Sequence, residues 1–243
     1  SIMQREFKSG ALIFIFITIL LDVIGLGIII PVFPALIMEL TGEGLSAASK
    51  YGGLLMFSYA IMQFLFAPVM GMLSDKFGRR PVLLAALAGF GLDYLLQGFA
   101  PTLGWLFIGR ILAGITGASF TTATAYIADI STPQNRAKNF GMLGAAFGLG
   151  FIIGPYLGGR LSTPDTSFYG LFDTPSWFGA TTPFWFAAIL SLANCASILT
   201  MFPETLKEKF HGGRIKVSQS VSNVIPGFKS DRIRAVLMAS FLC

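Results

Sequence analysis

Long apolar stretches separated by short polar ones set the rhythm of this chain. A membrane span needs about 20 apolar residues to cross a hydrocarbon core of about 30 Å. Six stretches meet that length, at 10–31, 50–73, 82–100, 104–128, 139–161 and 183–202. A further apolar run begins at Ile233 and reaches Cys243. The predicted fold class is all-α and integral to the membrane. It comprises a six-span bundle over 1–202, a cytoplasmic basic linker over 203–232 and the start of a seventh span over 233–243. Spans one to three and four to six cross in opposite senses, so a 3+3 inverted repeat is a natural expectation.

Composition supports lipid as the solvent. The chain of 243 residues is 54% hydrophobic and 12% charged, where a soluble domain carries about 25% charged residues. Its net charge is +5, and the distribution of that charge is one-sided. Fourteen of the 17 basic residues fall in the N-terminus, the second–third and fourth–fifth connections and the segment after the sixth span. Lys50 and Arg160 lie opposite, and Arg110 lies inside a span. Positive charge collects on the cytoplasmic side. The N-terminus is therefore expected in the cytoplasm, and the charge gives no reason to expect a nucleic-acid partner. The first apolar run is long enough to span and no small-residue cleavage site follows it, so an anchor is expected rather than a cleavable signal peptide. Cys195 and Cys243 form neither a disulfide framework nor a metal spacing. His211, the one histidine, lies in a polar loop.

Three charges stand where lipid would penalise them. Asp22 and Asp93 each lie about 11 residues from the cytoplasmic end of their helix, which at about 1.5 Å per residue is about 16 Å deep. Arg110 lies nearer the outer side. Each such charge costs about 2.5–3.5 kcal/mol when unpaired, so each is expected to face the bundle interior or a wet cavity. Two readings stand. In one, an aspartate pairs with Arg110 and merely locks the bundle. In the other, a carboxyl group sits on a transport path, where burial favours its protonated form and a nearby Arg favours the ionised one. Gln63 and Asn194 are milder cases, suited to helix–helix hydrogen bonds as much as to substrate. Thr116, Ser119, Thr121, Thr122 and Thr124 read as close packing or bonds back to their own helix.

Two further stretches stand out. Gly71–Pro81 (GMLSDKFGRRP) packs Asp75, Lys76, Arg79 and Arg80 between two spans and reads as a tight charged hairpin. The fifth span reads GMLGAAFGLGFIIGPYLGG. Gly144 and Gly148, Gly150 and Gly154, and Gly154 and Gly158 are each four apart, a spacing that lets helix backbones approach closely. Pro155 removes a backbone bond and invites a kink. No strand precedes these glycines, so a dinucleotide fingerprint is a poor alternative.

These residues resemble the major facilitator superfamily. Gly71, Asp75, Lys76, Gly78, Arg79 and Arg80 match its signature between helices two and three, G-x-x-x-D-K/R-x-G-R-R/K. Gly141, Gly150, Gly154, Pro155, Gly158 and Gly159 match its antiporter signature, G-x8-G-x3-G-P-x2-G-G. Arg110 and Gly114 fit the fourth-helix signature, with Ala113 where a polar residue is common. Residues 20–36, 77–84, 92–96, 109–118 and 127–150 are similar to tetracycline/proton antiporters, and the likeness covers about 11–205. The resemblance implies a bacterial inner-membrane exporter of amphipathic drugs, driven by the proton gradient and needing no cofactor. It implies two six-helix halves around a central cavity, so the chain is expected to be a fragment whose partner is the missing C-terminal half. Asp22 and Arg110 would then face the cavity. Asp75 and Arg79 would form a cytoplasmic gate that Gly78 lets turn and that Asp129 could join. Lys76 reads as a topology anchor. A metabolite symporter on the same fold and a non-transporting membrane scaffold remain as alternatives, and no nucleophile–base pair or metal set supports an enzyme.

Overall fold

The computed structural model describes residues 2–117, 119–168, 170 and 172–201. The linker expected at 203–232, the seventh span at 233–243, His211 and Cys243 lie outside these residues. The first span runs as α1 (Ile2–Ile29), a 3-10 turn (Ile30–Val32) and α2 (Phe33–Thr41). It continues ten residues past the expected end at 31. Pro31 and Pro34 sit in the first turn of their elements, where the missing N–H would have had no helical partner, so neither proline stops the chain. The stop comes at Gly42, with φ 68° and its N–H donating to Met38 O at 2.9 Å. The remaining spans are α3 (Leu45–Phe77), α4 (Arg79–Phe99), α5 (Leu103–Thr116) with α6 (Ser119–Ile130), α7 (Arg136–Leu161) and α8 (Thr182–Met201). Each of the six is long and apolar enough to cross a membrane.

The charged stretch Gly71–Pro81 is a tight reversal between two helices, and the helices run further into it than the apolar runs indicate: α3 stays helical to Phe77 and α4 begins at Arg79. The reversal rests on Gly78 alone, at φ 109°, a conformation that L side chains rarely adopt. The fourth span is one membrane-length segment, Leu103–Ile130, with a helix break at Gly117 between α5, which ends at Thr116, and α6, which starts at Ser119. Gln63 Nε2 on α3 donates to the carbonyl of Gly117 in that break at 2.9 Å. Between α7 and α8, β1 (Ser167–Phe168) and β2 (Phe172–Asp173) form a small antiparallel pair.

Packing follows the expected repeat. The most extensive helix contacts join span one to span five, two to four, three to six, three to four, and one to six. Exchanging one with four, two with five and three with six maps this set onto itself, as a 3+3 repeat requires. The closest approach is α1 on α7. A Cβ on Gly154 would lie 2.7 Å from Gly27 Cα, and one on Gly150 would lie 2.6 Å from Val23. Gly158 is pressed against the Ile28 carbonyl. By contrast, Gly141, Gly144, Gly148 and Gly159 meet open space. The expected close contact therefore holds for the 150/154/158 stripe and not for Gly144 and Gly148, because four-residue spacing puts only one stripe on the face that meets α1. Two large apolar clusters, with a small third around Met70 and Val82, fill the described bundle. One, around Ile15, Leu83, Tyr126 and Leu143, lies toward the Gly78 end. The other, around Phe33, Leu55, Phe90 and Phe184, lies toward the Gly42 end.

Candidate functional site

Between these clusters lies a cavity of about 520 Å³, within the range of small-molecule sites. Asp22 of α1, Tyr59 and Gln63 of α3 and Thr124 of α6 bring polar groups to it. Phe90, Phe120, Phe140 and Phe147 share the apolar wall with Ile19, Val23, Leu26 and Leu143, and Phe120 and Phe147 meet edge to face at 4.8 Å. Asp22 is 8% exposed. A carboxyl group, a phenol, an amide and aromatic faces in one recess can hold a flat molecule with polar edges, or a proton.

The other two intramembrane charges are elsewhere. Arg110 Nη2 donates to Asp93 Oδ2, and both side chains are almost wholly buried. Gln97 Nε2 donates to Asp93 Oδ1 at 2.6 Å. The Arg110 guanidinium lies 5.0 Å from the Tyr59 ring centre and 5.8 Å from that of Phe33, close enough for cation–π attraction. Gly109 makes room for the pair, since a Cβ there would strike Asp93 Oδ1. Of the pairings open to the sequence, the structure has Asp93 and not Asp22 on Arg110. It also places Arg110 inside the bundle rather than on the cavity wall. Once buried together, neither Arg110 nor Asp93 can lose its partner without leaving a charge stranded in the apolar interior.

A third cluster sits at the Gly78 end. Arg79 Nη1 donates to Asp75 Oδ1 at 2.6 Å and to Ser74 Oγ at 2.7 Å, and Arg79 Nε donates to Asp129 Oδ2 at 3.0 Å. Asp75, Arg79, Thr121 and Thr122 line a groove of about 410 Å³ beside it. The one-residue turn at Gly78 carries Arg79 back onto the α3 terminus, and α6 delivers Asp129 from fifty residues on. Arg80 points the other way, with Nη2 donating to Leu199 O at the end of α8.

The profile of the Major Facilitator Superfamily matches residues 15–243. The chain belongs to that superfamily. Among relatives of this major facilitator chain, the class H tetracycline resistance protein of Pasteurella multocida is 43% identical over 90% of the chain and 51% of that protein. The class C tetracycline resistance protein of Escherichia coli is 41% identical over 96% of the chain and 55% of that protein. The chain thus spans about half the length of the curated relatives it matches. The crystal structure of the human organic anion transporter MFSD10 (TETRAN) superposes with a TM-score of 0.71 at 22% identity, over 88% of the chain and 53% of that structure. That likeness speaks for the fold.

Sequence reasoning named Asp22 and Gln63, which line the cavity, and Asp93 and Arg110, which do not. It missed Tyr59 and the phenylalanine wall, because aromatic residues are common throughout an apolar chain, and it read Thr124 only for packing or a bond to its own helix. It also missed Gln97 and Ser74, although each stands within five residues of the charge it holds. Asn194 Nδ2 donates to Thr18 O at 2.9 Å and ties α8 to α1. Thr116 and Thr124 bond back to Leu112 O and Thr121 O. All three match the structural readings given for them.

Proposed function

We propose that this chain is the N-terminal half of a proton-coupled exporter of amphipathic drugs, with tetracyclines as the best candidate substrates. The reading is carried by one observation: an ionisable group, Asp22, stands in an aromatic cavity of drug size in a chain more than 40% identical to tetracycline resistance proteins. Asp22 takes the proton and Gln63, Tyr59 and Thr124 orient the drug. The Asp93–Arg110 pair holds α4 against α5 and keeps two charges out of lipid. The Asp75–Arg79–Asp129 network latches the cytoplasmic side, with Gly71, Gly78 and Arg80 shaping the turn that carries it. The glycines at 141, 150, 154, 158 and 159, with Pro155, make α7 a helix that packs tightly on one face and leaves another bare for the second half. That second half is a six-helix bundle of the same transporter, reached through the basic linker at 203–232, and the N-terminus lies in the cytoplasm of a bacterial inner membrane.

The test uses everted membrane vesicles containing the intact transporter and an imposed pH gradient. Tetracycline should collapse the gradient by exchanging for protons, and Asp22→Asn should abolish that response. No response across tetracyclines and a panel of other amphipathic drugs would sink the proposal.

A further inference from the structure

The sealed ion pair has an unfinished edge. Among the described residues, three buried polar atoms around it have no hydrogen-bond partner: Tyr94 Oη, Gln97 Oε1 and Arg110 Nε. A buried hydroxyl without a partner is costly, and such a group calls for an explanation. Tyr94 is 1% exposed, and its ring stacks on Phe90, a wall of the cavity, at 6.4 Å. Its hydroxyl rests against α1, where a Cβ on Gly25 would meet it at 3.1 Å. Gly25 is three residues beyond Asp22, hence one helical turn away on the same face. The hydroxyl therefore lies one turn from the cavity carboxyl, on the residue that follows Asp93. Asp22, Arg110 and Asp93 all lie near enough to act on it electrostatically.

We propose that Tyr94 is a positioning residue for proton coupling, its hydroxyl donating to the Asp22 carboxylate when that group is ionised and returning to the α1 seam when Asp22 is protonated. The inference rests on Asp22 being the proton site. The covalent change is a single proton transfer: an O–H bond of hydronium in the cavity breaks, one forms on the Asp22 carboxylate and water is left, while Tyr94 keeps its own proton throughout. Loss of that hydrogen bond ties proton occupancy to the spacing of α1 and α4. Among the described residues, the other titratable or charged groups around Asp22 and Tyr94 are Tyr59 on α3, Asp93 on α4, Arg110 on α5 and Cys195 on α8. Toward the Gly78 end α6 brings Tyr126, while α7 brings apolar side chains and glycine to the cavity.

The intact transporter, labelled with 13C-aspartate and purified in detergent, is titrated by infrared spectroscopy. Asp22→Asn identifies the Asp22 carboxylate band by its loss. Tyr94→Phe keeps the ring and removes the donor, so it should move that band, and in everted vesicles it should shift the pH profile of tetracycline transport by about half a unit or more. Gradient-driven transport should fall about tenfold while tetracycline counterflow without a gradient stays within about twofold, a split between coupling and binding. Gly25→Ala crowds the hydroxyl and should move the band the same way by less, which keeps the test available if Tyr94→Phe does not fold. An Asp22 band unmoved by either variant overturns the inference. A wild type that moves no tetracycline overturns the function reading instead, and the band still decides the role of Tyr94.

Discussion

Two arginines in this bundle face aspartates, and they are held in opposite ways. The Arg110–Asp93 pair is sealed, with side chains 1% and 0% exposed. Arg79 is also buried, at 9% exposed, but its partners Asp75 and Asp129 are 59% and 24% exposed. The same chemistry serves two purposes in these two settings. A sealed pair cannot part without stranding a charge in a medium that will not solvate it. A half-wet network can trade one carboxylate for another or for water at small cost, because solvent screens its members. The first suits a fixed joint and the second a latch.

The largest expected effect tests the joint. In the intact transporter, Arg110→Ala should destabilise the fold by about 3–5 kcal/mol, read as a fall in thermal unfolding temperature in detergent and in the amount of folded protein in membranes. The double variant Asp93→Asn with Arg110→Gln should recover at least part of the loss, since no bare charge remains. Wild-type stability in Arg110→Ala would break the contrast outright. Next, Gln97→Leu removes a hydrogen bond to a charged group and should cost about 1.5–3 kcal/mol by the same unfolding measurement.

The latch predicts a different pattern, with function lost ahead of stability. Asp129→Asn should cost about 1 kcal/mol and reduce tetracycline transport in everted vesicles well below wild type. Asp75→Asn, the most exposed partner, should change stability by about 0.5 kcal/mol or less yet reduce transport in the same assay. If Asp75→Asn proved as destabilising as Arg110→Ala, the two clusters would be alike and the distinction between joint and latch would fall.

Much of this arrangement was legible beforehand. Apolar run length located six spans, and Pro31 and Pro34 misled only the end of the first. The residues Asp75, Gly78 and Arg79 lie so close in sequence that the one-residue turn at Gly78 suffices to bring Arg79 back to Asp75, four positions away. Asp22 and Asp93 were placed at similar depth by counting rise along their helices. Their fates were not legible, because depth says nothing about which neighbour a helix face meets. Gly117 gave no clear sign of a break, since a single glycine inside an apolar helical run is usually tolerated. The bond from Gln63 to its carbonyl comes from 54 residues away.

The sequence by itself determined what varies along one dimension: the number of spans, the side on which basic charge collects, the depth of each buried charge and the local turn at Gly78. These depend on hydropathy, length and near neighbours, which the order of residues states directly. Tertiary structure alone decided that Asp93 takes Arg110, that Asp22 keeps the cavity, that Asp129 closes on Arg79, and that one glycine stripe of α7 meets α1 while the others stay bare. Those outcomes depend on how each helix is turned about its own axis. That rotation is set only when all six helices pack together and bury their costly charges at once.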